Sequence, residues 1–233
     1  MGLIEEAIAG GKKTLSEHAS KRFLESYEIP VCKELLVQSE QAAVRAAAKM
    51  GYPVVLKACG PELTHKTEAS LIRLHLKTPK EVRAAYRELM AQENPQWEGV
   101  LVQEMIRGHR ELVIGLIRDS QFGPCVMFGL GGIFTEVLND VTFRVAPLEK
   151  YDAMEMVNEI RAKKILEAFR GEPPVDLEVL SRCLIALGRI GIENPMIKEI
   201  DINPLKVQDG CPIAVDALVV LSSGHDDSVP AHQ

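Results

Sequence analysis

The sequence predicts an α+β fold built from two subdomains. The expected order up to residue 93 is helix, strand, helix, strand, strand, helix, whereas short strands dominate from residue 100 to 145. A loop with the sequence ENPQWEG separates the two patterns. We therefore expect four regions along the chain: an N-terminal helix or linker packed on the second subdomain (1–18), the first subdomain (19–93), the second subdomain (94–221) and a loose polar tail (222–233).

In the first part, capping side chains mark where helices begin. Ser16 is expected to cap a helix that continues to about Tyr27. Ser39 is expected to cap a second helix that ends before Gly51. Thr78, which is followed by a proline, is expected to cap a third helix. Runs of β-branched and apolar residues predict strands between these helices, at 31–37, 53–58 and 71–76.

In the second part, turns separate a series of predicted strands. The strands are expected at 100–103, 111–118, 123–128, 141–145, 197–207 and 212–221. Helices are expected at about 150–169, where an internal break is allowed, and at 176–190. Gly108 is expected to form the turn of a hairpin that brings Glu104 and Glu111 close together.

Composition and charge exclude several classes of function. A net charge of −6 gives a nucleic-acid partner no electrostatic support. No apolar run reaches the ~18 residues of a membrane span, and the first residues, MGLIEEAIAGGKK, lack a signal-peptide pattern. Five scattered cysteines without a C-x-x-C pair indicate reduced, mostly buried thiols. We therefore expect a cytoplasmic protein.

Several polar residues lie within apolar strands, where a buried charge is costly without a partner. Lys57 lies within VVLKA, and it is either a ligand for an anion or a strand-end lysine whose ammonium reaches solvent. Glu199, Asp201 and Asn203 alternate with isoleucines, so their oxygens share one face of a strand. Asp216, in the next strand, would lie beside Asn203 in a hairpin. This arrangement predicts an oxygen-lined site for Mg²⁺.

A glycine turn at 129–132 follows an apolar strand and precedes Glu136 and Asp140. Such a turn is compatible with a phosphate site, because backbone N–H groups can approach an anion closely, or with a simple tight hairpin. Neither GxxxxGK[ST] nor GxGxxG after the first strand is present, so P-loop and Rossmann nucleotide sites are disfavoured.

Together, six motifs resemble the ATP-grasp domain of ADP-forming (NDP-forming) acyl-CoA synthetases. The motifs are IPV (29–31), YPVVLKA (52–58), LTHKTE (63–68), VQEMIRGHRELVIG (102–115), FGLGGIFTEVLNDVTFRVAPL (128–148) and EIDINPLKV (199–207). The chain is most similar to the β subunit of acetyl-CoA synthetase and more distantly to that of succinyl-CoA synthetase. The resemblance implies an ATP-grasp fold with the nucleotide in a cleft between the subdomains.

The resemblance also implies residues that bind ATP or ADP. They are Lys57 for the phosphates, Glu104, Met105 and Ile106 for the adenine, Glu111 for the ribose, and Gly131 and Gly132 for the phosphates. Asn203 and Asp216 would hold Mg²⁺, with Glu199 as a further candidate ligand. Arg144 and Asp201 would lie around the transferred phosphoryl group.

His65 matches the family histidine that carries a phosphoryl group between two sites. The family loop after this histidine usually contains glycines, whereas this chain has Ala69 and Ser70. Their Cβ atoms would hinder close approach of the backbone to a phosphate. This difference leaves open how tightly the loop closes over the nucleotide.

The implied function is the nucleotide half of an acyl-CoA synthetase. A separate CoA-binding α subunit would bind the acyl-CoA or carboxylate substrate, in an assembly of two α and two β subunits. Two alternatives remain at this point: another ATP-grasp carboxylate ligase, or a non-catalytic nucleotide-binding regulatory module.

Overall fold

The computed structural model describes residues 2–61, 71–92, 97–131, 140–168 and 171–222. The helices in these ranges are α1 (Leu3–Ala9), α2 (Glu17–Glu25), α3 (Glu40–Met50), α4 (Pro79–Met90), α5 (Lys150–Glu159) and α6 (Leu177–Glu193), with a 3-10 turn at Lys163–Leu166. The strands are β1 (Glu34–Val37), β2 (Val54–Cys59), β3 (Ile72–Leu76), β4 (Gly99–Glu104), β5 (Arg110–Asp119), β6 (Gly123–Leu130), β7 (Val141–Val145), β8 (Ile197–Gln208), β9 (Cys211–Ala214) and β10 (Leu218–Leu221). No helix in the described ranges combines the length and apolar character needed to cross a membrane.

The first sheet has the antiparallel order β1-β4-β2-β3, and α3 and α4 pack on it. Strand β2 is buried along its whole length, so it needs a hydrogen-bonded neighbour on each side. Those neighbours are β3 and β4. Because β4 belongs to this sheet, the chain leaves the first sheet after Glu104 and not at residue 94, where the sequence pattern placed the boundary.

The second sheet has the order β10-β8-β5-β6-β7, and β9 pairs with the C-terminal half of β8. Helices α5 and α6 pack on this sheet. Its apolar core also includes Ile4 of α1 and Leu24 of α2. Helix α2 therefore packs with the second sheet, although its sequence precedes the first.

The capping residues are correctly predicted. Ser16, Ser39 and Thr78 each precede a helix and accept a hydrogen bond from the backbone N–H three residues later. The helical region predicted at 150–169, with an internal break allowed, is divided into α5, which ends at Glu159, and the 3-10 turn at Lys163–Leu166.

The predicted hairpin around Gly108 is wrong. Strand β4 pairs with β1 and β2, whereas β5 pairs with β6 and β8, so residues 105–109 cross from one sheet to the other. A Cβ atom on Gly108 would lie 1.8 Å from the carbonyl oxygen of Val207. The glycine is therefore needed for close approach of the crossing segment to β8 and not for a hairpin turn.

The single strand predicted at 212–221 is also wrong. It is divided into β9 and β10, and Val215, Asp216 and Ala217 lie between them. The backbone N–H of Val215 donates to the carbonyl oxygen of Pro204 at 3.1 Å, and that of Ala217 donates to the Asp216 carboxylate at 2.9 Å. These bonds replace regular strand pairing at this corner.

We predict that Gly108→Ala lowers the free energy of unfolding by about 3 kcal/mol, because the added methyl group displaces the backbone of β8. Denaturant-induced unfolding followed by circular dichroism measures the change. Gly10→Ala is the matched control, since the contacts of its added Cβ begin at 3.4 Å. Equal unfolding midpoints for the two variants would contradict the close packing of the crossing segment.

Candidate functional site

Asn203 and Asp216, the proposed metal ligands, are brought together by strand register. The pairings of β8 with β9 and with β10 share one register, which places Asp216 opposite Asn203. The hydrogen bond from Val215 to Pro204 fixes the corner beside them. The sequence prediction that these two side chains are neighbours is therefore consistent with the backbone geometry.

The remaining acids of β8 create a local excess of negative charge. Glu199 and Asp201 lie on the more exposed face of β8, whereas Ile200 and Ile202 are buried. Burial, together with the charges of Glu199 and Asp216, raises the pKa of Asp201 to about 6. A cation near these oxygens would relieve this repulsion.

The donor set suits Mg²⁺ bound together with a nucleotide. Mg²⁺ prefers oxygen ligands and is commonly held by one or two carboxylates plus substrate phosphates. Among the described residues, no group of three or more His, Cys, Asp or Glu side chains is arranged to hold a metal ion. The amide oxygen of Asn203 and the phosphates of a ligand would complete the coordination begun by Asp216.

Lys57 lies on β2 with its side chain only 4% exposed. Its ammonium donates to the Glu17 carboxylate at 2.8 Å and to the carbonyl oxygen of Val215 at 3.0 Å. It also lies 3.5 Å from the Asp216 carboxylate. Burial acts to lower the pKa of Lys57, but Glu17 and Asp216 outweigh this effect and hold the pKa above its ordinary value. The structure thus provides the lysine with carboxylate partners within the protein.

Glu17 was not identified from the sequence. It lies at the start of α2, four residues before Lys21, and opposite charges at this spacing usually form a surface pair on a helix. The Glu17 side chain is instead fully buried. A sequence pattern cannot reveal that a polar helix face is covered by another sheet.

The segment proposed to contact adenine lies where the chain leaves the first sheet. Lys33 donates its backbone N–H to the Glu104 carboxylate at 2.7 Å, and Glu104 donates its backbone N–H to the carbonyl oxygen of Lys33 at 2.9 Å. Met105 is half-buried and Ile106 is buried. Glu104 is therefore occupied in holding the end of β4 to the chain before β1.

Glu111 and Gly131 are linked through the backbone. The N–H of Gly131 donates to the carbonyl oxygen of Glu111 at 2.7 Å. A Cβ atom on Gly131 would lie 2.9 Å from the carbonyl oxygen of Leu112, so the sheet itself requires glycine here. The Glu111 carboxylate lies 3.1 Å from the Lys206 ammonium.

Arg144 and Asp140 both have partners within the chain, on α5 and in the turn after it. The Arg144 guanidinium lies 2.5 Å from Glu159 and 3.8 Å from Glu155 of α5. Buried Asp140 accepts hydrogen bonds from the backbone N–H groups of Arg161 and Ala162. Asp140 therefore stabilises the turn after α5. The remaining sequence candidates, His65, Ala69, Ser70, Gly132 and Glu136, lie outside the described residues.

Comparisons with known proteins identify the family. A family profile described as an ATP-grasp domain matches residues 6–221. The β subunit of acetate–CoA ligase [ADP-forming] I from Pyrococcus furiosus is 43% identical over 225 residues, covering 94% of this chain and 96% of the relative. The chain belongs to the ATP-grasp family of ADP-forming acetate–CoA ligase β subunits.

Solved structures support the same family. The dinucleotide forming acetyl-coenzyme A synthetase 1 of Ca. Korarchaeum cryptofilum, in complex with coenzyme A, Ca-AMPCP and HgCl+, matches this ATP-grasp chain with a TM-score of 0.89 and 45% identity. The match covers 94% of this chain and 98% of the solved one. The expected ATP-grasp fold and the family resemblance are confirmed.

A second Korarchaeum structure of that synthetase contains coenzyme A and Mg-AMPPCP, with its phosphohistidine segment pointing towards the nucleotide binding site. It matches this chain with a TM-score of 0.84 and 44% identity, covering 94% of this chain and 98% of the solved one. These relatives favour the acyl-CoA ligase interpretation over the two alternatives.

We predict that Asp201→Asn stabilises the unliganded protein near pH 7.5 but not near pH 4. The folded state keeps the Asp201 proton to about pH 6, whereas an unperturbed carboxyl titrates near 3.8. The contribution of Asp201 to the free energy of unfolding is therefore most favourable below about pH 4 and is lost as the pH rises through 6, by at most about 3 kcal/mol. Asn carries no charge and avoids this loss.

Urea unfolding in EDTA at the two pH values measures the effect of Asp201→Asn. Asp209→Asn, on the exposed turn after β8, is the control and should leave the pH dependence unchanged. A destabilised Asp201→Asn variant at pH 7.5 would show that the repulsion is already compensated in the unliganded protein.

Proposed function

We propose that this chain is the nucleotide-binding β subunit of an ADP-forming acyl-CoA ligase. The net reaction is acyl-CoA + ADP + phosphate ⇌ carboxylate + CoA + ATP. The observation that carries the proposal is the register that sets Asp216 opposite Asn203, beside the acids of β8, in a chain of this family. Lys57, from the other sheet, lies at the same corner.

Asn203 and Asp216 would bind Mg²⁺, with Glu199 as a further candidate ligand. When bound, Mg²⁺ neutralises charge on the nucleotide phosphates. Burial is the main cause of the raised pKa of Asp201, and the neighbouring charges of Glu199 and Asp216, which add to it, support this assignment. Asp201 would lie near the transferred phosphoryl group and orient it.

The nucleotide would lie between the two sheets, which we take as the two subdomains. Met105 and Ile106 would offer backbone groups to the adenine, because they follow directly after β4. Glu111, at the start of β5, would hold the ribose hydroxyl groups. The position of Gly131 against Glu111 supports a phosphate loop that begins beside the ribose site.

Cationic side chains would bind the phosphates in this proposal. Lys57 is the candidate in the first sheet and Arg144 is the candidate on β7. Both are paired with carboxylates of the protein, so each would exchange or share a partner when phosphate arrives. Fixed cations close to the transferred group stabilise its developing charge.

His65 would carry the phosphoryl group between the acyl site and the nucleotide site. On the partner subunit, phosphate would displace CoA from acyl-CoA to give an acyl phosphate. An imidazole nitrogen would then attack the phosphorus of this acyl phosphate, forming an N–P bond, breaking the P–O bond to the acyl group and releasing the carboxylate. An oxygen of the ADP β-phosphate would then attack the same phosphorus, breaking the N–P bond and forming ATP. The phosphohistidine segment of the Korarchaeum synthetase supports this role.

The β-subunit relatives imply a partner subunit, and we propose a CoA-binding α subunit in an assembly of two α and two β chains. Acyl-CoA would bind to that partner and not to this chain. A cytoplasmic location fits the five cysteines, all of which are free thiols.

We predict that Asp216→Ala weakens Mg²⁺-dependent ADP binding at least about tenfold, because it removes a carboxylate ligand of the cation. Isothermal calorimetry of the full chain, with Mg²⁺ and with EDTA, measures the effect. Glu6→Ala, which removes an exposed acid on α1, is the control. Unchanged Mg·ADP affinity in Asp216→Ala would refute the metal role, and no Mg·ADP binding by the wild type would refute the proposed function.

We predict that His65→Ala abolishes labelling of this chain by [γ-³²P]ATP, since no other residue is proposed to hold the phosphoryl group. Autoradiography after rapid quenching measures the label, and His75→Ala is the control because His75 lies on β3. Persistent labelling in His65→Ala would exclude the relay. ADP formation that requires an amine acceptor and no CoA would favour a carboxylate–amine ligase instead.

A further inference from the structure

Two lysines from different parts of the fold meet at one buried carboxylate. Lys21 lies on α2 and Lys57 on β2, and Glu17 lies between their ammonium groups. The exposed fractions of these side chains are 1%, 4% and 0%, respectively. We call these three residues the buried lysine pair and its carboxylate. Buried charges of this kind persist only when they are paired.

The two ammonium groups share the same acceptors. Glu17 Oε1 accepts from Lys21 at 2.7 Å and from Lys57 at 2.8 Å. The carbonyl oxygen of Val215 also accepts from both, at 3.3 Å and 3.0 Å. The ammonium groups of Lys21 and Lys57 therefore both hold the backbone of Val215, the residue before Asp216.

Lys21 also has partners that Lys57 does not contact. Its ammonium donates to the Gln103 side chain at 3.0 Å and forms an ion pair with Glu34. His18 Nδ1 lies 2.8 Å from the other Glu34 oxygen. Loss of Glu17 would therefore leave Lys21 with a carboxylate partner, namely Glu34.

Lys57 has a different second carboxylate. The Lys57 ammonium lies 3.5 Å from the Asp216 carboxylate, which is farther than its 2.8 Å from Glu17. Without Glu17, the buried ammonium would move toward Asp216, because an unpaired buried charge is far costlier than this small displacement. A direct Lys57–Asp216 pair would compete with a cation for the same carboxylate.

We propose that Glu17 is a positioning residue of the nucleotide site, which holds the Lys57 ammonium against Val215 and keeps it from pairing fully with Asp216. This inference rests on the proposed function, since it assigns Glu17 to the site at which Asp216 binds Mg²⁺. Glu17 contacts neither substrate nor metal in this role. It acts by determining which carboxylate neutralises Lys57.

The test compares Glu17→Gln with Glu34→Gln in the full chain. Both changes remove a buried carboxylate that contacts Lys21, and only Glu17 also contacts Lys57. ADP binding is followed by calorimetry while Mg²⁺ is varied, and the Mg²⁺ concentration at half-maximal enhancement is determined. We expect Glu17→Gln to raise this concentration about tenfold or more, and Glu34→Gln to change it less than about twofold.

Two further variants separate positioning from loss of stability. In Glu17→Gln combined with Lys57→Met, the Lys57 ammonium no longer competes for Asp216, so the Mg²⁺ requirement should return toward the wild-type value even where ADP affinity is lower. Glu17→Asp keeps the negative charge, but its shorter side chain places the carboxylate farther from Lys57. We expect this variant to raise the Mg²⁺ concentration at half-maximal enhancement about threefold. Circular dichroism establishes that each variant is folded. If Glu17→Gln does not fold, Glu17→Asp against Glu34→Asp decides the question.

The outcomes distinguish this inference from the proposed function. Equal Mg²⁺ requirements in the Glu17 and Glu34 variants, with normal Mg²⁺ dependence in the wild type, would overturn the role of Glu17 alone. Failure of the double variant to recover would also overturn it, because competition by Lys57 would not be the cause. A wild-type chain that binds ADP without any effect of Mg²⁺ would instead overturn the proposed metal site.

Discussion

The site depends on the register of β8 with β9 and β10. One strand carries the buried isoleucines of the second sheet on one face and the acids of the candidate site on the other. A shift of one residue would bury Asp201 and Asn203 and expose the isoleucines, so the apolar core enforces the arrangement of the polar site. Regular pairing stops at the corner Val215–Ala217, and the register shared by the strand pairs on either side aligns Asp216 with Asn203.

Local patterns in the sequence were sufficient to predict most helices and strands, and the alternation of polar and apolar residues along β8. Ser16, Ser39 and Thr78 were found because a helix cap is a contact within four residues. The alternation of β8 was found because a strand has a period of two. The expected proximity of Asp216 and Asn203 stays a prediction, and the shared register of β8 with β9 and β10 is consistent with it.

Contacts between distant segments were missed for a physical reason. The crossing at Gly108 looks like a hairpin in sequence, whereas the pairing of β4 with β1 and β2 shows that β4 belongs to the first sheet. Glu17 looks like half of an exposed helical ion pair, and its partner Lys57 is 40 residues away. The glycines around Gly131 were compatible with either a phosphate site or a tight hairpin. The structure adds a hydrogen bond from the Gly131 N–H to the carbonyl oxygen of Glu111, which the sequence did not predict.

The buried lysine pair and its carboxylate also connect the two sheets through hydrogen bonds and ion pairs. Lys57 belongs to the first sheet, α2 packs with the second, and both lysines bond to Val215. Separating these groups would expose unpaired charges to a dry interior, at a cost of about 3–5 kcal/mol for each broken pair. A change in the angle between the sheets that preserved these bonds would therefore have to turn about the backbone of Val215.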